Sequence, residues 1–457
     1  MLSIVARIVL LTTMIAAITL GAPMAHANDL VTDGISITRS DGTTASGTVY
    51  APAGATGLPG VVLVHGSGDG RDEHYDQVAA ALAGAGIVAL RYDKRTEDYT
   101  PAHRDYSLLA DDALAGLAAL RNRPEVAPDR VGIWGLSEGG WVAPLAVSRS
   151  ADAAFLITVG ANSFAPAAQQ AWANETRFVA GGVRGSMLEV LARNGIRQLV
   201  GAGQFAQADY DAIPVLERIP QPVLAIWGEL DRLTPPGDSL RDFQSAFERV
   251  GKTNYTLRTL PNAQHGGHAT TDGFDKLPEL APGYIQLMAD WVHGLPDSAA
   301  RQVDPPAAQG QSAEALEPLS RWESATVQLS LLLGIVLGFG GYALTGAVRR
   351  WRLPNPRPAR ILLSAAMIAI VGTVAQLLFM LTTRATSFGP LLFGRTLPWL
   401  AVQLLAALAV VTLGVIIARS RSTLSDSGAG ARARWILLVC GGAGFTLWAL
   451  YWGLLIP

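Results

Sequence analysis

The stretch that decides the fold is VGIWGLSEGGW, residues 131–141. Its apolar first half predicts a buried strand, and its second half predicts the start of a helix. Between the two halves lies Ser137, with Gly135 two residues before it and Gly139 two residues after it. A serine at the tip of a sharp strand-to-helix turn needs small residues at these positions, because the backbone passes close to them. The spacing predicts a nucleophilic serine at the end of a central strand.

A nucleophilic serine needs a base that takes its proton and an acid that orients the base. For the acid, VLAIWGELDRLTPP (residues 223–236) places Asp231 just after a predicted strand. We choose Asp231 because a Gly-x-x-Asp step followed by Thr234 is typical of an acid turn that enters a helix. Glu229 remains the alternative.

For the base, LRTLPNAQHGGHATT (residues 257–271) offers two histidines after the last predicted strand. His265 is the first of them, and its small neighbours would let the imidazole reach inward. His268 is the alternative. We therefore expect the order Ser137, Asp231, His265 along the chain.

Two backbone N–H groups are predicted to form an oxyanion hole. Negative charge that develops on a tetrahedral intermediate needs donors of this kind, already in place. VVLVHGSGDG (residues 61–70) runs from a strand into His65-Gly66-Ser67-Gly68. We expect the N–H groups of Ser67 and Glu138 to be the donors, and His65 to be a structural residue of the turn.

Short apolar runs alternate with amphipathic helical stretches between residues 29 and 295, which is typical of a mostly parallel sheet with helices on both faces. We place eight strands, at 35–39, 47–50, 61–64, 87–92, 131–134, 155–159, 223–227 and 255–260. A helical segment at 161–216 interrupts this pattern. We expect it to be a lid over the carboxyl ends of the strands, where ligands bind in such sheets. An ordinary surface excursion is the alternative.

Composition excludes several functional classes. The chain has 457 residues and a net charge of −2, so it offers no basic surface for nucleic acid. Its one cysteine, Cys440, can form neither a disulfide framework nor a thiolate metal site. The histidines and acids lack ligand spacing, and no phosphate-binding loop or dinucleotide motif occurs. We expect no metal and no cofactor.

Residues 1–27 predict a signal peptide. Arg7 precedes an apolar stretch at 8–20, and Ala25-His26-Ala27 has the small-x-small form of a cleavage site. An uncleaved anchor helix is the alternative. Both interpretations place the following domain, residues 28–295, outside the cytoplasm.

The C-terminal part predicts four transmembrane helices. Uncharged stretches long enough to span a bilayer core lie at 324–348, 361–383, 396–418 and 435–457. The first and third loops carry five and four arginines, nine in all, and the middle loop carries two. The first and third loops are therefore expected in the cytoplasm of a bacterial cell. The helix interiors lack Asp, Glu, Lys and His, which favours an anchor over a transporter.

Residues 296–323 connect the two parts. Much of this stretch is Ala, Pro, Gln and Ser, with few large apolar side chains, so it cannot bury enough surface to fold alone. We expect a linker.

Several motifs together resemble the α/β-hydrolase superfamily, in particular its esterase and dienelactone-hydrolase-like or prolyl-oligopeptidase-like branch. The motifs are HGSG (65–68), RYDKR (91–95), APDRVG (127–132), GELD (228–231) and AQHGG (263–267). The resemblance covers about residues 30–295 and implies an eight-stranded, mostly parallel α/β sheet with a Ser137–Asp231–His265 triad. Relatives usually continue RYDKR with glycine-rich sequence, whereas Thr96-Glu97-Asp98-Tyr99 follows here.

The resemblance implies hydrolysis of an acyl bond, with a carboxylic ester of a small molecule or a lipid as the first expectation. A serine peptidase of aminopeptidase type is the second. The alternative from another class is a non-catalytic binding or scaffold protein, tethered to the membrane, that has kept the fold.

Overall fold

The computed structural model describes residues 29–97, 99–348, 356–383, 386–419 and 428–457. The predicted signal peptide lies outside these ranges, and so do parts of the loops between the C-terminal helices.

A mostly parallel sheet of nine strands forms the centre of the N-terminal domain, in the order β1-β2-β4-β3-β5-β6-β7-β8-β9. The strands are β1 (Leu30–Thr38), β2 (Thr44–Pro52), β3 (Leu58–Val64), β4 (Val88–Tyr92), β5 (Val126–Leu136), β6 (Leu156–Val159), β7 (Val223–Gly228), β8 (Tyr255–Leu260) and β9 (Gln302–Val303). β2 is antiparallel to β1 and β4, and the other pairs are parallel. Each of the eight predicted strands overlaps an observed one, and the domain has the α/β-hydrolase fold.

Helices cover both faces of the sheet. They are α1 (Glu73–Gly84), α2 (Tyr106–Arg121), α3 (Gly139–Val147), α8 (Pro236–Arg249) and α9 (Tyr284–His293). Alternate residues of each strand point to opposite faces. Val61 and Leu63 pack with α1 and α9 in one core, and Val62 and Val64 pack with α2, α3 and α8 in the other. The central strands of the sheet are therefore buried on both sides.

The insertion at 161–216 contains α4 (Pro166–Ala180), α5 (Ser186–Glu189), a π-helical turn (Val190–Asn194), α6 (Gly195–Gly201) and α7 (Ile213–Leu216). Part of this segment belongs to a different core from the rest of the domain. Phe178, Met187 and Leu191 are buried in one apolar cluster with Trp399 and Trp448 of the C-terminal helices. The insertion thus lies between the sheet domain and the C-terminal helices.

Four helices of the described C-terminal residues are long and apolar enough to cross a bilayer, which indicates a membrane protein. They are α10 (Ala325–Val348), α11 (Arg357–Thr382), α12 (Leu397–Ala418) and α13 (Ala429–Tyr451), and a short hairpin of β10 (Leu391–Leu392) and β11 (Arg395–Thr396) precedes α12. α13 begins at Ala429 rather than at residue 435. A charged residue, Arg434, can be part of this apolar helix because its guanidinium donates to the carbonyl of Tyr342 at 3.0 and 3.1 Å.

The connecting segment 296–323 differs from the free linker expected from its composition. Its residues Gln302 and Val303 form β9 beside β8. The Gln309 side-chain oxygen accepts hydrogen bonds from the N–H groups of Gly237 and Asp238 at 2.9 and 3.1 Å. N–H groups in the first turn of a helix such as α8 have no acceptor within the helix, and Gln309 provides one. Side-chain amides of this polar segment therefore hold it on the domain, although it buries little apolar surface.

Candidate active site

Ser137 lies in a strained turn between β5 and α3. Its φ angle is 57°, in the left-handed region that a serine rarely adopts. A Cβ atom on Gly135 would lie 2.1 Å from the carbonyl oxygen of Gly139, and one on Gly139 would lie 2.5 Å from that of Val64. Both positions therefore require glycine, for the reason given by the sequence pattern.

His265 and Asp231 meet beyond the carboxyl ends of β8 and β7. The Nδ1 atom of His265 is 2.8 Å from Oδ2 of Asp231, whose side chain is fully buried. A carboxylate can only accept a hydrogen bond, so Nδ1 is the donor of this pair, and in the neutral imidazole Nε2 is then the acceptor. This tautomer is the one that a general base needs.

Two residues outside the predicted triad support this pair. Thr234 donates its hydroxyl to Asp231 Oδ2 at 2.6 Å and its N–H to Oδ1 at 2.9 Å, so the acid is fixed in one orientation. Gly160, with φ 55°, directly follows β6 and lies beside the imidazole, where a Cβ atom would lie 2.7 Å from His265 Nδ1. The Thr234-Pro235 sequence pointed to the turn, whereas nothing in the sequence marks Gly160.

The two alternative residues lie elsewhere. Glu229 is exposed and accepts the N–H of Asn262 at 3.2 Å. His268 bonds His74 Nδ1 at 2.8 Å through Nε2 and the carbonyl of Leu277 at 2.9 Å through Nδ1. The structure therefore joins His265, and not His268, to Asp231.

The HGSG turn lies directly against the serine. A Cβ atom on Gly66 would be 3.2 Å from Cβ of Ser137. The N–H of Gly66 itself donates to the Tyr75 hydroxyl at 2.7 Å. Ser67 follows it on the exposed side of the turn, and Glu138 occupies the N-cap position of α3.

His65 is a packed residue of this turn. Its ring makes edge contacts with Tyr75 and Tyr92 at centroid distances of 4.4 and 5.2 Å. Burial, with the nearby Lys94 and Arg91 cations, lowers the pKa of His65 to about 3. His65 is therefore neutral near pH 7. It packs as a structural residue of the turn, which is the role expected for it.

Glu138 carries a buried ionic cluster that the sequence analysis missed. Its carboxylate lies 2.7 Å from Lys94 Nζ and 2.9 Å from an Arg104 nitrogen, and it accepts the Tyr99 hydroxyl at 2.7 Å. Lys94 also donates to the carbonyl of Gly66 at 2.6 Å. One lysine thus connects the turn that carries Ser67 to the residue that follows Ser137.

The ionic cluster explains two sequence features. Lys94 belongs to the RYDKR motif, and Tyr99 belongs to the TEDY stretch that replaces the glycine-rich sequence of relatives. Burial lowers the pKa of Lys94, and the Glu138 carboxylate opposes this effect. The pKa of Tyr99 is raised by burial and by Glu138, so its hydroxyl stays protonated and donates.

A cavity of about 260 Å³ opens beside His265 and Leu136. Its lining mixes histidines with cationic side chains from three different segments, and it includes His74, Arg177, Arg232, His268 and Lys276. Among the residues that the structure describes, no group of three or more His, Cys, Asp or Glu side chains could hold a metal ion.

Part of the chain is similar in sequence to known proteins. Residues 107–281 match the prolyl oligopeptidase family, a range that includes Ser137, Asp231 and His265. Esterase EstD of Thermotoga maritima is 34% identical over 122 residues, which are 24% of this chain and 29% of that relative. The match thus spans less than a third of the relative's length.

Two solved structures are also similar. The dienelactone hydrolase of Anabaena variabilis is 19% identical, with a TM-score of 0.38 over 60% of this chain and 100% of that one. A dienelactone hydrolase-like promiscuous phosphotriesterase from metagenomic libraries is 19% identical, with a TM-score of 0.38 over 58% and 98% of the two chains. The family match and the esterase relative, taken with the fold, support an enzyme of the serine hydrolase type.

Proposed function

We propose that the protein is a serine hydrolase that cleaves a carboxylic ester through an acyl-enzyme on Ser137. The observation that carries this proposal is the pairing of His265 Nδ1 with the buried Asp231 at 2.8 Å, at the same sheet edge as the strained Ser137 turn. Asp231 orients the imidazole and stabilises the imidazolium, so that Nε2 can take the Ser137 proton.

The reaction has two steps. In the first, the Ser137 oxygen attacks the ester carbonyl, and His265 passes the proton to the leaving alcohol. In the second, His265 takes a proton from water, which attacks the acyl-enzyme, and then gives this proton to the Ser137 oxygen as the acid leaves. The N–H groups of Ser67 and Glu138 are assigned to the oxyanion in both steps. The Lys94–Glu138 ion pair would keep these two donors at a fixed separation.

A serine peptidase is the second candidate, because the matched family is that of prolyl oligopeptidase. The same nucleophile, base and oxyanion donors would cleave an amide if His265 protonated the leaving amine. The nature of the leaving group therefore separates the two candidates.

The arrangement in the cell is also a proposal. We assign residues 1–27 to a signal peptide, 28–295 to the catalytic domain with its lid at 161–216, and 324–457 to the membrane domain. The catalytic domain is then on the outer face of a bacterial cell membrane. The arginine-rich first and third loops support this orientation, and so does contact between the insertion and the opposite ends of the helices.

The test uses the full-length protein in detergent. Release of p-nitrophenol from esters of increasing acyl length is compared with release of p-nitroaniline from aminoacyl anilides. The variants are Ser137→Ala and, as a matched control, Ser148→Ala, whose hydroxyl bonds the Leu145 carbonyl at the end of the same helix.

Ester turnover that is lost in Ser137→Ala and kept in Ser148→Ala is the expected result. Anilide turnover with the same dependence would favour the peptidase. If folded protein turns over neither series, the proposal is wrong and a binding or scaffold role takes its place.

A further inference from the structure

A pair of hydrogen-bonded histidines lies in the wall of the cavity beside His265. His74 is in the first turn of α1, where Asp72 accepts its backbone N–H at 2.9 Å, and the residue is only 4% exposed. His268 lies in the loop after β8, and its Nε2 atom is 2.8 Å from His74 Nδ1. The proposed reaction uses neither of these two histidines.

Both histidines of the pair are neutral near pH 7. Burial is the main cause that lowers the pKa of His74 to about 3, and it is also the main cause that lowers the pKa of His268. A neutral imidazole has one nitrogen that donates and one that accepts. The direction of each hydrogen bond in the pair can therefore be assigned from the partner of each ring.

A backbone carbonyl sets the direction of these bonds. His268 Nδ1 lies 2.9 Å from the carbonyl oxygen of Leu277, which can only accept, so Nδ1 is the donor. His268 Nε2 must then accept a hydrogen bond from His74 Nδ1. The remaining nitrogen, His74 Nε2, is therefore an acceptor.

This acceptor is buried, and it has no partner among the residues that the structure describes. A buried acceptor without a donor is unfavourable, and a bound group that donates to it would remove that cost. A Cβ atom on Gly266 would lie 3.9 Å from His74 Nε2 and 3.8 Å from its Cε1. The accepting edge of the ring is thus next to the residue that follows His265.

The cavity lies on the leaving-group side of the proposed reaction. Among the described residues, its lining includes His265 and Leu136 but neither Ser67 nor Glu138, the two residues assigned to the oxyanion. The base that takes the Ser137 proton gives it to the leaving alcohol, so that alcohol lies against His265. The part of the substrate that would occupy the cavity is therefore the alcohol.

The surroundings of the pair favour a neutral donor. The Lys276 cation helps to lower the pKa of both histidines, and Asp72 offsets only part of its effect on His74. This cation would repel an ammonium group, whereas it would not repel a hydroxyl. The cavity of about 260 Å³ is also larger than the roughly 30 Å³ that one water molecule occupies in the liquid, so it has room for a small alcohol.

We propose that the cavity binds the leaving alcohol of the ester, and that His74 Nε2 accepts a hydrogen bond from a second hydroxyl of that alcohol. The substrate class is then a partial ester of a diol or polyol, an inference that rests on the proposed function. Cleavage transfers the acyl group to Ser137, and His265 gives its proton to the ester oxygen, so the product is the free diol. His74 determines specificity and exchanges no proton in the reaction.

The experiment uses the full-length protein in detergent and measures the butyric acid released from three esters. Ethylene glycol monobutyrate carries the second hydroxyl, and its methyl ether cannot donate at that position. Dimethylaminoethyl butyrate, which is protonated near neutral pH, carries a cationic N–H donor instead. The readout is the ratio of kcat/KM between two esters in the same variant, so a general loss of activity cancels.

We expect the glycol monoester to be hydrolysed about tenfold more efficiently than its methyl ether, a factor that corresponds to about 1.4 kcal/mol. His74→Asn should lower this ratio toward one, because the shorter amide can donate to His268 but does not reach the position of Nε2. His74→Gln should keep part of the ratio, since its amide oxygen can take the place of Nε2. His103→Asn is the control, because His103 is exposed and lies outside the lining of the cavity.

Gly266→Ala tests the position of the site by a second route. The added Cβ atom would lie in ordinary contact with the His74 ring, so the imidazole can stay in place while its accepting edge is covered. The ratio should therefore fall toward one in this variant also. Circular dichroism checks that each variant is folded.

The outcomes separate the inference from the function on which it rests. A wild-type ratio of about one, with Ser137-dependent turnover of p-nitrophenyl butyrate, would overturn the inference and leave the hydrolase intact. A tenfold ratio that His74→Asn and Gly266→Ala leave unchanged would also overturn it, because the hydroxyl would then bind elsewhere. Preference for the cationic ester over the glycol monoester would overturn the polyol assignment. No Ser137-dependent turnover of any ester would overturn the proposed function as well.

Discussion

Asp231 is the residue on which the proposed chemistry depends most closely. Its two oxygens accept from the N–H groups of Leu233 and Thr234, from the Thr234 hydroxyl and from His265. The backbone donors remain if the carboxylate becomes an amide, but an amide nitrogen facing His265 would force the wrong imidazole tautomer.

Asp231→Asn should therefore lower kcat by about 10⁴ and leave the fold intact. The measurement is ester hydrolysis beside circular dichroism. Asp242→Asn, which alters a carboxylate that accepts the Ser163 hydroxyl at 2.7 Å, is the control. A loss of less than about tenfold in Asp231→Asn would contradict the assigned role.

The Glu138 cluster predicts a graded set of effects on stability. Tyr99→Phe removes one hydrogen bond to the carboxylate, and we expect a loss of about 1 kcal/mol in the free energy of unfolding. Lys94→Met removes a buried partner, and we expect a loss of about 3–5 kcal/mol. Denaturant unfolding of the full chain measures both. Equal losses in the two variants would mean that the ion pair is not the main support of Glu138.

At the scale of single residues, the sequence predicted what lies in short motifs. Ser137 is marked by its flanking glycines, and Asp231 and His265 follow apolar runs that end in turns. The Lys94–Glu138 pair could not be predicted, because the partners are 44 residues apart and the sequence does not record which charges are buried together.

The strand-to-helix turn is the element that tolerates the least change. A methyl group at Gly135 would meet the backbone of Gly139 at 2.1 Å, and backbone cannot move aside as a side chain can. Gly135→Ala should therefore abolish ester hydrolysis and lower the yield of folded protein.

Gly84→Ala is the matched control, because a Cβ atom there has nothing within 4 Å at the end of α1. Alanine favours helix over glycine by about 1 kcal/mol, so this variant should be active and at least as stable as the wild type. An active, stable Gly135→Ala protein would contradict the account of the turn.

Element prediction succeeded where apolar β-branched runs were long. Each of the eight predicted strands overlaps an observed one. The six from β3 to β8 are easily recognised because a buried parallel strand is apolar on both faces. β9 has only two residues, Gln302 and Val303, and is too short and polar to be recognised. α13 extends back to Ala429 because Arg434 finds a carbonyl on a neighbouring helix, which no hydropathy pattern reveals.

At the scale of the whole molecule, buried neutral histidines predict the response to acid. The pKa values of His65 and His74 are both lowered to about 3, mainly by burial, from an ordinary value of 6.5. Between these values the unfolded chain binds more protons than the folded one, so stability is complete above about pH 6.5 and falls as the pH drops toward 3.

Thermal unfolding of the N-terminal domain in the full chain should therefore move to lower temperature between about pH 7 and pH 4. His74→Gln should reduce the slope, because one of the linked protons is removed. His103→Gln, which alters an exposed histidine, is the matched control. A wild-type midpoint that does not depend on pH in this range would contradict the assignment.

The division into a sheet domain and four apolar helices could be predicted from the pattern of apolar residues. Short apolar runs mark the strands of the first part, and long uncharged stretches mark the helices of the second. The contact between them could not. Phe178 and Phe388 are ordinary apolar residues in the sequence, and their packing depends on the placement of both parts.

The most direct test of the central claim is covalent labelling of the full-length protein with a fluorophosphonate, followed by peptide mapping. We expect a label on Ser137 that depends on the His265–Asp231 pair, so that His265→Ala and Asp231→Asn lose most of it at a matched pH. Folded wild-type protein that takes no label, or takes it on another residue, would contradict the assignment of Ser137 as the nucleophile.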